Sequence, residues 1–298
     1  MSSSVRRASS EPSPSPEARD ATVRSRPHAE AADEEVSSGE SPEEERSPEE
    51  RSSTLILHYH LFKNAGTSVD SAFKDSFETN EWVSKEFEGN AERNRRDVAA
   101  WMTDTPGARC FSSHTAQLPP PSLPGREVFP VIFIRHPLDR IASAYAFEVK
   151  QDSPSFGSVL ARNTTLAGYV ETRLSLPGDG QCRDFQAHRL ADMYPASEGD
   201  LRERAMRAIE ELPFVGLVES YDRSLQRLQA LLRERGFPDI VLGNLAKNVS
   251  RSVATPLVDK LKRLRNEVGA ELFETLREAN AVDLELHARL SARYGEEK

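Results

Sequence analysis

Three short apolar runs along the chain predict buried strands. Residues 54–60 read TLILHYH, residues 128–134 read VFPVIFI and residues 214–218 read FVGLV. Short runs that are apolar almost throughout are typical of strands covered on both faces in a parallel sheet. A fourth and shorter strand is predicted within residues 109–114, which read RCFSSH.

Apolar residues with helical spacing follow these runs. From Val69 to Phe77 they recur every three or four positions, which predicts a helix that begins near Thr67 or Ser68. Pro137 suits the first turn of a second helix. Further helices are predicted over residues 165–174, 184–192, 200–211, 220–235 and 255–294, the last with a break near residues 279–281. Strands that alternate with helices indicate an α/β fold with a central parallel sheet flanked by helices.

Residues 1–53 differ in composition from the rest of the chain. They contain no Phe, Trp, Tyr, Leu, Ile or Cys and are rich in Ser, Pro, Glu and Arg. So little apolar surface cannot offset the loss of chain entropy on folding, so we expect a disordered tail before a folded domain over residues 54–298. The tail carries 13 acidic and 7 basic residues, and the whole chain has a net charge of −9, which leaves only −3 for the domain. A domain this close to neutral lacks the basic face that general nucleic-acid binding requires.

The apolar pattern also bears on location. No apolar run approaches the ~20 residues that span a bilayer, and the N-terminus lacks the apolar core of a signal peptide. Cys110 and Cys182 lack the spacing of metal ligands and are expected to be free thiols of a reducing compartment. These features predict a cytoplasmic protein without membrane contact.

The segment LFKNAGTS, residues 61–68, lies between the first strand and the first helix. Such a loop directs backbone N–H groups toward the helix N-terminus, whose partial positive charge suits an anion. Gly66 allows close backbone approach, and Thr67 and Ser68 add hydroxyl donors. Lys63 supplies a mobile cation, but it precedes the glycine, unlike the lysine of the common nucleotide loop GxxxxGK[ST]. The alternative is an ordinary turn with an exposed lysine.

The strand over residues 128–134 ends in Arg135, at the edge where α/β sheets bind ligands. Ser143 lies eight residues later, off the apolar face of the following helix. Both side chains could hold a second anionic group, unless Arg135 instead pairs with Asp139 or another nearby acid. An ATP- or GTP-hydrolysing enzyme normally places an aspartate at such a strand end to organise Mg²⁺. An arginine there favours an anion that is held without a metal.

The two motifs together resemble a known family. KNAGTS followed by IRHPLDRIASAY is similar to the paired signatures of carbohydrate sulfotransferases of the heparan-sulfate type, which use 3′-phosphoadenosine 5′-phosphosulfate (PAPS). Further similar segments are DFQAHRL, FVGLVESYDRSLQRL and AKNVSRS, so that the resemblance covers residues 54–294. It implies a P-loop-like three-layer fold and transfer of a sulfuryl group to a hydroxyl, on a carbohydrate or a small alcohol.

The resemblance also implies roles for individual residues. Lys63 would contact the phosphosulfate bridge and stabilise the leaving phosphate during catalysis. The 5′ side of PAPS would be wrapped by Lys63, Asn64, Ala65, Gly66, Thr67 and Ser68. Arg135 and Ser143 would hold the 3′-phosphate, and a loop over residues 246–252 would close over the nucleotide with Asn248 and Ser250. Two positions depart from the family pattern: Phe62 replaces a common proline, and His136 replaces the usual acid after the arginine.

An acceptor hydroxyl also requires a general base. His114 resembles the histidine that some polysaccharide sulfotransferases use at this point of the chain, while Glu86 and Glu148 are rivals because related enzymes use a glutamate. His58 and His60 are expected to be packing residues of the first strand. The aromatic side chains that could line a sugar site, Trp82, Phe87 and Trp101, are expected to pack in the core instead.

Two other function classes stay open at this stage. A nucleoside-triphosphate kinase would depend on Mg²⁺, and a sulfotransferase-like binding protein without activity would bind the nucleotide without turnover. The acceptor is not named by the sequence, because acceptor grooves are built from variable loops, here residues 79–126 and 150–200.

Overall fold

The central feature of the fold is a five-stranded sheet. The computed structural model describes residues 53–243 and 255–296. The strands are β1 (Thr54–Tyr59), β2 (Trp82–Ser84), β3 (Cys110–Ser113), β4 (Glu127–Ile134) and β5 (Val215–Leu217). Their order in the sheet is β2-β3-β1-β4-β5, and every neighbouring pair is parallel. The predicted α/β class with a central parallel sheet is therefore confirmed.

Helices connect the strands and cover the sheet. They are α1 (Gly66–Lys74), α2 (Ala91–Thr103), α3 (Pro137–Lys150), α4 (Phe156–Asn163), α5 (Leu166–Ser175), α6 (Phe185–Ala191), α7 (Leu201–Glu211), α8 (Tyr221–Arg233), α9 (Leu257–Val268), α10 (Ala270–Glu278) and α11 (Ala281–Glu296). Short 3₁₀ turns cover Ala196–Glu198 and Val218–Ser220. Within the described ranges, no helix is both long and apolar enough to cross a membrane. The expected tail up to residue 52 and the candidates Asn248 and Ser250 lie outside those ranges.

The alternation of side chains along β1 explains the layers. All six residues of this strand are buried. Leu55 and Leu57 face one core, which also contains side chains of α2, α6, α7 and α11. Ile56 faces a second core, which is closed by α1 and α8. Because successive residues of a strand point to opposite faces, a strand that is apolar throughout requires helices on both sides of the sheet.

Two elements were not predicted. β2 is a three-residue edge strand whose pairing partner, β3, lies more than 20 residues further along the chain, so local pattern gave no sign of it. The helix α4 lies in a stretch expected to be loop, and it is started by Ser155, whose side chain accepts a hydrogen bond from the N–H of Ser158. The C-terminal helical segment breaks not only near residue 280 but also at Gly269, whose φ is 87°.

The strand order brings three loops to one place. The chain passes from β1 toward the β2 side of the sheet and, after β4, toward β5 on the other side. The carboxyl ends of β1 and β4 thus flank a switch point, where α/β sheets form a crevice for ligands. The loops after β1, β3 and β4 all open at this edge, which places the two predicted anion motifs on adjacent strands.

Gly216 provides a test of the sheet packing. It pairs with Phe133, and a Cβ added to Gly216 would lie only 2.5 Å from Cε1 of that ring. We expect Gly216→Ala to lower the free energy of unfolding by about 1–3 kcal/mol, because the buried ring cannot move without disturbing the core. Urea unfolding monitored by circular dichroism measures the change.

The matched control is Gly107→Ala, because a Cβ at Gly107 meets no atom within 4 Å. Its stability should stay within about 1 kcal/mol of the parent protein. Equal unfolding midpoints for both variants would contradict the assigned contact between Gly216 and Phe133.

Candidate functional site

A cleft of about 700 Å³ opens at the carboxyl edge of the sheet. Eight of the residues predicted from the sequence line it: Lys63, Ala65, Gly66, Thr67, Ser68, His114, Arg135 and Ser143. The other lining residues are His60, Phe62, Glu86, Thr115 and Phe147. Loops that follow β1, β2, β3 and β4 all contribute, so the cleft is a product of the parallel sheet.

The backbone of the loop after β1 is strained in a specific way. Lys63 has φ 65° and Ala65 has φ 62°, both in the left-handed region that non-glycine residues rarely adopt, and Asn64 between them does not. The backbone N–H of Asn64 donates to the carbonyl oxygen of Leu61 at 3.1 Å, so this segment closes as a tight turn directly before α1. Strain of this kind costs on the order of 1 kcal/mol per residue and persists where surrounding contacts enforce it.

The Asn64 side chain supplies one of those contacts. It is 1 % exposed, and its Nδ2 donates hydrogen bonds to the carbonyl oxygen of Phe133 and to Oε1 of Gln186, both at 2.8 Å. The amide therefore turns toward the sheet and not into the cleft. Asn64 ties the loop to the neighbouring strand, so it was predicted as a binding residue but acts here as an anchor.

Gly66 was predicted to let the backbone approach a ligand, but its contacts show that it also makes room for a neighbouring side chain. A Cβ at this position would lie 1.9 Å from Cδ2 and 2.2 Å from Nε2 of His60. The absent side chain therefore makes room for the imidazole of His60, the residue directly after β1, in addition to any approach of a ligand to the backbone. The close contact places the Nε2 edge of His60 beside the first turn of α1.

Lys63 carries a charge that no described residue neutralises. Its Nζ lies 4.4 Å from the centre of the Phe147 ring and forms no ion pair within the described ranges. Partial burial, and then the nearby cations Arg135 and Lys150, lower the pKa of Lys63. An anion placed among these three cations would relieve their repulsion, because it supplies the missing opposite charge.

The Arg135 guanidinium is fixed on two sides. Its Nε and Nη2 donate to Oδ2 of Asp139 at 2.8 and 2.6 Å, and its Nη1 donates to the carbonyl oxygen of Lys63 at 3.2 Å. The pairing with Asp139 is the alternative that the sequence left open. Lys260 of α9 reaches the same carboxylate at 3.2 Å, so two cations share one acid. Arg135 still lines the cleft, and two of its five N–H groups have no partner in these contacts.

Gln186 joins these two loops, although sequence reasoning assigned it no role. Its side chain is fully buried, and its Oε1 accepts from Asn64 Nδ2 and from the backbone N–H of Arg135, both at 2.8 Å. Its Nε2 donates to the carbonyl oxygen of Arg135 at 2.9 Å and to Asp283 at 3.2 Å. The amide thus uses both acceptor and both donor positions. The only sequence signal was its place in DFQAHRL.

His114 is held by Glu86, the rival candidate for the base. The Nδ1 atom of His114 lies 2.7 Å from Oε1 of Glu86, and its backbone N–H donates to the same carboxylate. Partial burial opposes ionisation of Glu86, but hydrogen bonds from His114 and Thr115 outweigh it and lower the pKa of this carboxyl. An ionised Glu86 can only accept, so a neutral His114 carries its proton on Nδ1 and leaves Nε2 able to take another.

A second histidine pair lies behind His114. The Nδ1 atoms of His58 and His60 contact the two oxygens of Asp70 at 2.7 and 2.9 Å, and Ser112 Oγ donates to the same carboxylate at 2.7 Å. The three potential ligand atoms of His58, His60 and Asp70 lie within 4.8 Å of one another, as a metal site requires. However, the atoms already satisfy each other as hydrogen-bond partners. His58 and His60 were expected to be packing residues, but both also form polar contacts with Asp70.

The remaining sequence candidates lie elsewhere. Glu148 accepts from Tyr169 at 2.6 Å and pairs with Arg173 at 3.2 Å, so its carboxylate is engaged away from the cleft lining. Phe87 and Trp101 pack in the core with ring centres 5.4 Å apart, as expected. Trp82 is partly buried in the other core.

His136, for which the sequence gave no role, is buried beside the cleft. Its backbone N–H donates to Glu219 at 2.9 Å, and its ring packs edge-on against His287 with centres 5.0 Å apart. Burial, reinforced by the neighbouring His287, lowers the pKa of His136 to about 4. The ring is therefore neutral near pH 7 in the folded protein.

This shift predicts a pH dependence of stability. The unfolded chain binds a proton at His136 near the ordinary pKa of about 6.5, while the folded protein binds it only near 4, so stability falls as the pH drops through this window. At pH 5.5 the loss should be on the order of 1 kcal/mol relative to pH 7.5. Urea unfolding at both pH values measures it. His136→Gln should reduce the loss and the exposed control His188→Gln should not; an undiminished loss in His136→Gln would exclude this source.

Comparison with known proteins gives one family relationship. No family model matches the sequence. The chain is similar to an uncharacterized protein of Archaeoglobus fulgidus, with 38% identity over 250 residues that cover 81% of this chain and 98% of the archaeal protein. Identity at this level across nearly the full length of the relative establishes common descent. The chain belongs to the same family as this Archaeoglobus fulgidus protein.

Proposed function

We propose that this protein is a sulfotransferase that moves a sulfuryl group from PAPS to a hydroxyl of a carbohydrate or small alcohol. The observation that carries the proposal is the joint presence, in one cleft, of an unneutralised Lys63, a fixed Arg135 and a carboxylate-held His114. The volume of about 700 Å³ lies in the usual range for small-molecule sites.

The donor nucleotide carries two separate anionic groups, and the cleft offers two cationic positions. Lys63 and the N-terminus of α1 would receive the 5′-phosphosulfate, as the family resemblance implies. Arg135 and Ser143 would receive the 3′-phosphate. Asp139 keeps the guanidinium oriented before the ligand arrives, which reduces the entropy cost of binding.

The transfer itself requires charge to move in one direction. The acceptor oxygen attacks sulfur in line with the departing 5′-phosphate oxygen, which takes the electron pair of the broken S–O bond. Lys63 would stabilise the charge that develops on that leaving oxygen. His114 would take the acceptor's proton on Nε2, while Glu86 holds Nδ1 and stabilises the imidazolium.

The acids near the cleft favour this reading over a kinase. Among the described residues that line the cleft, Glu86 is the only acid, and it already binds His114. Asp139, which is near the end of β4, is paired with Arg135 and Lys260. Neither carboxylate is placed to organise Mg²⁺ as the strand-end aspartate of nucleotide hydrolases does. Buried free thiols at Cys110 and Cys182 are in keeping with a cytoplasmic enzyme.

Nucleotide affinity tests the donor site. We expect 3′-phosphoadenosine 5′-phosphate to bind with the same affinity in the presence and absence of EDTA, measured by isothermal titration calorimetry. Arg135→Gln should weaken binding roughly 10-fold to 100-fold, because a charge-assisted contact to phosphate is lost. The control is Arg93→Gln, whose side chain is 65% exposed on α2. Binding that requires Mg²⁺ and prefers ATP would instead support the kinase.

Turnover tests the two catalytic assignments. Transfer of labelled sulfate from PAPS should be screened against a panel of glycans and small alcohols. With the best acceptor, Lys63→Met and His114→Gln should each lower kcat by roughly 10²-fold or more. His114→Gln should leave nucleotide binding within a few-fold of the parent protein, whereas Lys63→Met also loses a charge-assisted contact to the donor and should weaken its binding.

The matched control for the lysine is Lys262→Met, since that side chain is 72% exposed on α9. Unchanged turnover in Lys63→Met would exclude its role. Nucleotide binding without transfer to any acceptor would support the inactive binding protein.

A further inference from the structure

Three imidazoles form a continuous stack that leads from the sheet to the cleft. The ring centres of His58 and His60 are 5.4 Å apart, and those of His60 and His114 are 3.8 Å apart, with interplanar angles of 22° and 28°. His58 is buried, His60 lines the cleft and His114 is half exposed. The stack therefore connects the proposed base to buried groups that the proposed function does not yet use.

His58 of β1 and His60, which directly follows the strand, lie on one face of the sheet because they are two residues apart. That face packs against α1, and the carboxylate of Asp70 in this helix contacts the Nδ1 atoms of both histidines. Burial opposes ionisation of Asp70, but hydrogen bonds from His58, His60 and Ser112 outweigh it and lower the pKa of this carboxyl far below its ordinary value. Burial in turn lowers the pKa of His58, so that ring is neutral.

An ionised Asp70 fixes the tautomer of its partners. A carboxylate accepts hydrogen bonds and cannot donate them, so His58 and His60 each place a proton on Nδ1. A neutral His60 then has its lone pair on Nε2, the edge that lies beside Gly66. His114 repeats the arrangement one layer further out, with Glu86 on its Nδ1. Two stacked rings thus have one carboxylate each, the inner one largely buried and the outer one exposed.

Resting on the proposed sulfuryl transfer, we propose that His60, fixed by Asp70, is a positioning residue for His114. The fixed ring holds the His114 imidazole in its reactive orientation by face-to-face stacking. Asp70 supplies a buried negative charge one ring away from the imidazolium that forms when the acceptor's proton reaches Nε2 of His114. The proton stays on His114, and the electron pair of the broken S–O bond leaves with the 5′-phosphate.

Several titratable side chains from different elements surround His60. From β1 comes His58, from α1 comes Asp70, and from the segments after β2 and β3 come Glu86 and His114. Cys110 of β3 also faces Asp70, and burial together with that carboxylate raises the pKa of its thiol. Among the described groups around His60, Asp70 is therefore the anion that is largely buried.

Two variants distinguish a role of His60 and Asp70 in orienting His114 from a purely structural role. Asp70→Asn keeps the shape but replaces one acceptor oxygen by a donor, and His60→Phe keeps an aromatic face but loses Nδ1. We expect both to lower kcat roughly 10-fold to 100-fold with little change in nucleotide affinity. We also expect the acidic limb of the pH profile of kcat to move to lower pH in Asp70→Asn, because the stabilising anion is gone. The exposed control His188→Gln should change neither quantity.

A measurement on the parent protein does not depend on turnover. Nitrogen-15 NMR of the imidazoles should show that the neutral form of His60 carries its proton on Nδ1, and Asp70→Asn should lose this tautomer preference. If the parent protein transfers no sulfate, the proposed function fails, whereas the NMR pattern still decides whether Asp70 fixes His60.

Two results would overturn the positioning role. One is an unchanged kcat and pH profile in both variants, which would leave only a structural contact. The other is one equivalent of tightly bound zinc in the purified parent protein that disappears in Asp70→Asn, which would make the cluster a metal site.

Discussion

The side-chain amide of Gln186 is the interaction on which the geometry of the cleft depends. It bonds the Asn64 side chain of the loop after β1 and both backbone groups of Arg135 at the end of β4. Asp283 of α11 holds the amide in turn and also accepts from the N–H groups of Gln186 and Ala187 at the start of α6. Because buried polar groups must find partners, removing any member leaves others unsatisfied at a cost of about 1–3 kcal/mol each. The network therefore fixes the spacing between the two cationic positions.

The cleft combines local strain with an excess of positive charge. Lys63 and Ala65 are held in left-handed conformations, and Lys63 faces Arg135 and Lys150 without an acidic partner among the described residues. Both features are unfavourable in the protein alone. They are understandable if an anionic ligand completes the site, because its negative charge would reduce the repulsion among the cations.

The histidine side of the cleft is arranged differently from the cationic side. Each of its carboxylates, Glu86 and Asp70, contacts imidazole nitrogens, and among the described residues neither forms an ion pair with a Lys or an Arg. Arg135 and Lys260 instead surround Asp139 on the opposite side. The carboxylates that hold the imidazoles of His58, His60 and His114 and the carboxylate that orients Arg135 therefore have separate partners.

The sequence by itself determined the fold class and the location of the anion motifs. The apolar runs of β1 and β4 required burial on both faces, and the residues that follow each run, Lys63 and Arg135, had to lie at the carboxyl edge of a parallel sheet. The tertiary structure decided the partners. Asn64 and Gln186 are 122 positions apart and His114 and Glu86 are 28 apart, so local periodicity carries no information about either contact. The edge strand β2 and the pairing of His60 with Asp70 depend likewise on which strands and helices become neighbours, because side chains far apart in the chain meet only after the sheet order is set.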